Sequence, residues 1–109
     1  MATSVIKHEN TVSASYNNGI VTAYRTGNVV TIRINLAQTG QVTANAWTYI
    51  ANLDSQFIPS TPLDFPIINN AASSTSNWTL QCRITGAGAV GIYSFSSAVT
   101  PLGTVTYVV

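Results

Sequence analysis

Charge is what this sequence has least of. Of its 109 residues, 6% are Asp, Glu, Lys or Arg, against about 25% in ordinary soluble domains. The net charge is +1, so the chain makes no field that would gather phosphate backbones or anionic lipid, and nucleic acid is set aside as a partner. Cysteine occurs once, at Cys82. It has no internal disulfide partner, and one Cys with one His cannot build a zinc site, so neither metal nor cofactor is expected. Long apolar runs are missing too. Although 46% of residues are hydrophobic, no stretch approaches the roughly 20 needed to cross a bilayer, and membrane insertion is not expected. The first residues lack a basic start followed by an apolar core, so no signal peptide is expected.

Helix-forming patterns are equally scarce. Glu and Lys occur once each, as Glu9 and Lys7, and no window sustains apolar residues at i, i+3, i+4 and i+7. Alternation is what remains. In "GNVVTIRINLA" (27–37), Val30, Ile32, Ile34 and Leu36 alternate with Thr31, Arg33 and Asn35, a strand with one dry face and one wet face. "RTGN" (25–28) supplies a tight turn back from "GIVTAYR" (19–25), which predicts a hairpin. "NWTLQCRIT" (77–85) places Trp78, Leu80, Cys82 and Ile84 on one face and Gln81 and Arg83 on the other. "GAGA" (86–89) then turns the chain into "VGIYSF" (90–95). "ANAWTYIAN" (44–52), "LDFPIIN" (63–69) and "GTVTYVV" (103–109) complete the set, with Pro66 predicting an edge or a bulge.

About seven short strands with regular turns describe an all-β fold, a small antiparallel β-barrel or sandwich. One domain is expected over residues 19–109. Residues 1–18 read as an N-terminal arm that holds a possible first strand or a truncated connection to a larger assembly. A surface made polar by hydroxyls and amides, with weak charge repulsion, suits either a neutral monomer or subunits that bury it against one another; the second reading is favoured.

Four candidates for chemistry present themselves. Asp54 and Asp64 have the residue type for a glycosidase pair, but little supporting charge exists to separate their pKa values, so loop structure is the preferred reading. His8 lies in the polar arm with nothing to orient it for a Ser–His–Asp arrangement. "TGAGAVG" (85–91) lacks the Gly-Lys-Ser/Thr ending of a phosphate loop and joins two strands, so it reads as a hairpin turn. "NWT" (77–79) matches a glycosylation triplet without a secretory signal, and is taken as chance. No catalytic set is expected. The aromatics carry more. If the hairpin pairs in the simple register, Tyr93 points the same way as Gln81 and Arg83. A ring beside an amide and a guanidinium suits a neutral sugar, with a face to stack on and donors for hydroxyls; a polar sheet face or a subunit contact is the competing reading. Trp47 and Trp78 lie on or next to strands, Trp78 with the core residues.

In this order, "GNVVTIRINLA", "WTYIANLDSQFIPSTPLDFPIINNA" (47–71) and "WTLQCRITGAGAVGIYSF" (78–95) resemble the C-terminal head domain of tail-fibre or baseplate receptor-binding proteins from phages of Gram-positive bacteria. The likeness spans roughly residues 19–109 and is one of strand order and punctuation. It implies a homotrimeric β-barrel head that binds host cell-envelope saccharides without catalysis, alongside other tail or baseplate proteins. The location implied is the tip of a virion assembled in the host cytoplasm. In such heads His, Asp and Trp recur on the final hairpin; here that hairpin carries Gln81, Arg83, Ile92 and Tyr93. The saccharide-binding residues expected are Gln81, Arg83, Tyr93 and Trp47. The alternative is a structural virion component, a fibre knob or trimerisation cap without receptor contact; a depolymerising enzyme is a third and weaker reading.

Overall fold

Each alternating segment can bury one face only by curling against its neighbours, and the computed structural model, which describes residues 14–70 and 79–109, has this form. Eight strands occur in chain order: β1 Ala14–Asn17, β2 Val21–Thr26, β3 Val29–Asn35, β4 Ala46–Asn52, β5 Leu63–Asn69, β6 Thr79–Ile84, β7 Ala89–Ser94 and β8 Pro101–Val108. They form one antiparallel sheet in the order β1-β2-β3-β8-β5-β6-β7-β4, curled into a half-barrel. Seven of these are the strands read from the sequence, and the eighth, β1, is the possible first strand of the arm, four residues paired with β2. Lys7, His8, Glu9, Asn77 and Trp78 lie outside the described residues.

The dry face of β3 is as its alternation predicts: Val30, Ile32 and Ile34 are fully buried. They meet Val21 and Ala23 of β2, and Leu80, Cys82 and Ile84 of β6 with Val90 and Ile92 of β7, in a single core. β2 and β3 turn through Gly27 and Asn28, with Thr26 opposite Val29. Pro66 sits where β5 has a neighbour on one side only. β5 pairs with β6 from Leu63 to Ile68, but meets β8 only at Ile68 and Asn69, so the missing N–H of Pro66 breaks no ladder.

That short β5–β8 junction splits the sheet into two halves, and a plug fills the split. Leu53 and Phe57 are buried between β4 and β5. Phe57 ends a 3₁₀ turn, Ser55–Phe57, with Asp54 as its N-cap, whose side chain accepts the Gln56 N–H. The Tyr107 hydroxyl of β8 donates to the Phe57 carbonyl, and Arg25 Nη1 of β2 donates to the Gln56 carbonyl at 2.9 Å. At the other side, where β1 and β4 leave the sheet open, Asn18 Nδ2 donates to the Ile50 carbonyl at 2.8 Å. Ile50 is available because a bulge between Tyr49 and Ala51 turns it out of the β4–β7 ladder.

Two buried acids give the core an alkaline limit. Burial pushes the Cys82 thiol up to about 12 and the Tyr107 phenol up to about 12. The folded chain therefore keeps protons that the unfolded chain releases, starting near pH 9 for Cys82 and near pH 10 for Tyr107. Their contribution to stability is complete below pH 9 and is lost as pH climbs toward 12. Thermal unfolding followed from pH 8 to 12 is expected to show melting temperatures falling across this window. Tyr107→Phe starts lower, by about 1–3 kcal/mol for the carbonyl left unpaired, and declines less steeply.

Candidate functional site

The wet face of β5-β6-β7-β4 is unlike the wet face of the other half. Register brings the four residues singled out in the sequence onto it. Gln81 lies opposite Tyr93, Tyr93 opposite Trp47, and Arg83 opposite Gly91. The simple hairpin register is therefore the one adopted. On β5, Asp64 lies opposite Arg83 and Pro66 opposite Gln81. The result is a continuous band of side chains across four strands.

Aromatic rings dominate one end of the band. Trp47 and Tyr93 meet edge to face with centroids 5.6 Å apart at 62°, and Tyr93 meets Phe95 at 5.5 Å and 84°. Such pairs add about 0.5–1.5 kcal/mol beyond their buried area. Gly91 makes room for them. A Cβ there would lie 2.9 Å from Tyr49 Cε1 and 3.3 Å from Trp47 Cε3, so the rings rest directly on the β7 backbone. Phe95 is 78% exposed, with Tyr93 against one edge of its ring.

Charge enters through one pair. Arg83 Nε donates to Asp64 Oδ1 at 2.7 Å and Nη2 donates to Oδ2 at 3.2 Å, a two-point fork. The guanidinium carbon stands 4.2 Å from the centre of the Trp47 ring, a cation–π arrangement. The Arg83 hydrogen bonds hold the Asp64 carboxyl below its usual range, and Asp64 in turn raises Arg83 above its own. Both side chains are partly exposed, so the pair fixes geometry more than it adds stability.

Between these groups lies an open groove of about 430 Å³, lined by Asp64, Pro66, Thr79, Gln81, Tyr93 and Phe95 among others. Of the four residues named from sequence, Gln81 and Tyr93 line it directly. Arg83 and Trp47 stand behind, the indole supporting the guanidinium and the guanidinium holding Asp64. The sequence reading missed Phe95, Pro66 and Asp64 as groove residues. Asp64 lies in β5, within the strand read over 63–69, but nothing in that strand alone shows which neighbour it faces.

The two aspartates serve separate structures: Asp54 Oδ1 accepts the Gln56 N–H at 3.3 Å, while Asp64 is engaged by Arg83. A carboxyl held low by a guanidinium lacks the proton that a general acid must give near neutral pH. Among the described residues no three His, Cys, Asp or Glu side chains come together in a metal-binding group. Residues 85–89 form the predicted hairpin turn, with Gly88 N–H donating to the Thr85 carbonyl at 3.0 Å. The chain matches no protein-family model and no curated protein.

Proposed function

We propose that this chain is a non-catalytic saccharide-binding head domain of a phage receptor-binding protein, acting on the cell envelope of a Gram-positive host. The observation that carries the reading is the groove. It is open, walled by the Tyr93 and Phe95 rings, and furnished with an amide at Gln81, a hydroxyl at Thr79 and a carboxylate at Asp64. Rings offer the CH-rich face of a sugar a stacking surface, and the polar groups converge on its hydroxyls. The strand order and the nearly chargeless surface support the same reading through the resemblance drawn from the sequence. In this proposal three copies associate at the tip of the adsorption device, and the groove faces the host.

Envelope saccharide prepared from Gram-positive cells is expected to retain the protein. Tyr93→Ala, on the outer face of β7 and away from the core, is expected to weaken retention about tenfold, the loss of about 1.4 kcal/mol, with the circular-dichroism spectrum unchanged. Light scattering is expected to give a trimer. A trimer that no envelope preparation retains would select the alternative, a structural knob or trimerisation cap. Saccharide consumed on incubation would replace both readings with an enzyme.

A further inference from the structure

We propose that the groove accepts uncharged, hydroxylated rings and rejects their carboxylate-bearing counterparts, with Asp64 as the hydroxyl acceptor and Arg83 as its positioning residue. The inference rests on the saccharide reading above and narrows it.

The Asp64–Arg83 pair presents its acidic side to the groove. An arginine near a sugar site ordinarily invites an anion, because its planar fork matches a carboxylate or phosphate. Here the side of the fork formed by Nε and Nη2 is already filled. Nε and Nη2 point at the two oxygens of Asp64, and the guanidinium carbon stands over the Trp47 ring. Turning it toward a ligand gives up both hydrogen bonds and the ring contact. Asp64 lines the groove and Arg83 does not. The charged group a ligand meets is therefore the carboxylate.

Among the described residues no second cation relieves this. The residues lining the groove include no Lys, Arg or His, and residues 71–78, which precede Thr79 in the chain, carry no charged side chain in the sequence. Arg25 is turned toward the Gln56 and Gly27 carbonyls in the other half of the sheet, and Arg33 belongs to β3 there. A carboxylate on the ligand would face Asp64 without compensation. A hydroxyl in the same place donates to it, a charge-assisted bond of the stronger kind. The low position of the Asp64 carboxyl keeps this acceptor ionised well into the acid range.

Nuclear magnetic resonance titration of the intact chain tests this with matched ligands: methyl glucoside and methyl galactoside against methyl glucuronide and methyl galacturonide. The wild type is expected to bind a neutral glycoside with shifts at Gln81 and Tyr93, and its uronide at least tenfold more weakly. Added salt is expected to narrow that gap by screening the repulsion. Asp64→Asn is expected to weaken the neutral glycoside and to reduce the gap to below threefold. Arg83→Gln is expected to keep the fold but lose discrimination, since an unheld carboxylate no longer points into the groove. A uronide bound as tightly as its neutral partner by the wild type, or a gap unchanged in Asp64→Asn, overturns the inference and leaves the saccharide reading standing. If neither class perturbs the groove at any concentration, the saccharide reading falls and takes the inference with it.

Discussion

Replacing Phe57 by alanine is expected to lower the unfolding free energy by about 3–5 kcal/mol. The ring is fully buried, and it fills the place where β5 and β8 part company after two paired positions. Two side chains that reach this turn are held by hydrogen bonds. On one side Tyr107 is tied to the Phe57 carbonyl, and on another Arg25 is tied to Gln56. The cost is therefore at the upper end of what cavity formation brings, and it stands against a total of about 5–15 kcal/mol for a domain of ordinary stability. Urea unfolding is the measurement. The midpoint should fall sharply for Phe57→Ala, while Phe57→Leu, which keeps most of the volume, should lose about 1–2 kcal/mol. A loss below 1 kcal/mol for the alanine variant would mean that the 3₁₀ turn is dispensable to the sheet.

The second large effect sits one strand away and acts through the backbone. Gly88 has φ of +88°, and a Cβ on it would lie 2.5 Å from the carbonyl oxygen of Leu53. That approach is fixed from both directions, because Leu53 N–H donates to the Gly88 carbonyl at 2.8 Å. Alanine here meets the left-handed penalty of about 1–2 kcal/mol and a clash with a main-chain atom that cannot rotate away. The expected total is about 2–4 kcal/mol. Gly86, two residues earlier in the same turn, makes the control. Its added Cβ meets only Pro62 Cγ at 4.0 Å, so Gly86→Ala should stay within about 0.5 kcal/mol of the wild type. Equal losses at the two positions would show that the turn itself, and not the approach to Leu53, sets the requirement.

These two positions also mark where the sequence was readable and where it was not. Local alternation displayed which face of β3, β6 and β7 is dry, because the period of two is written in each strand alone. The β6–β7 register followed from the short turn between them, and with it the placing of Gln81 and Tyr93 side by side. What a strand pairs with across a long connection is not written locally. The β5–β6 alignment spans a connecting segment, so Asp64 opposite Arg83 could not be read, and half of the groove went with it. Pro66 was legible as an interruption, since a missing donor limits where a residue can sit. Phe95 was not, because it follows the last residue of β7 and its exposure depends on what the chain does next. β1 was legible only as a possible first strand within the arm, because four residues carry too few alternations to fix its bounds. Phe57 sits in a loop by sequence; only the parting of β5 from β8 explains why a loop residue is as deeply buried as any in the strands.

The side-chain bond from Asn18 to Ile50 has a mechanical meaning. Two rungs between β5 and β8 act as a hinge and this one amide as the clasp on the opposite side. Between them each half keeps its own full ladders. Opening the clasp alone costs one exposed hydrogen bond, while the Tyr107–Phe57 and Arg25–Gln56 bonds and the shared core hold the two halves together behind it. The backbone groups beside the clasp belong to β1 and β4, the two open edges of the sheet.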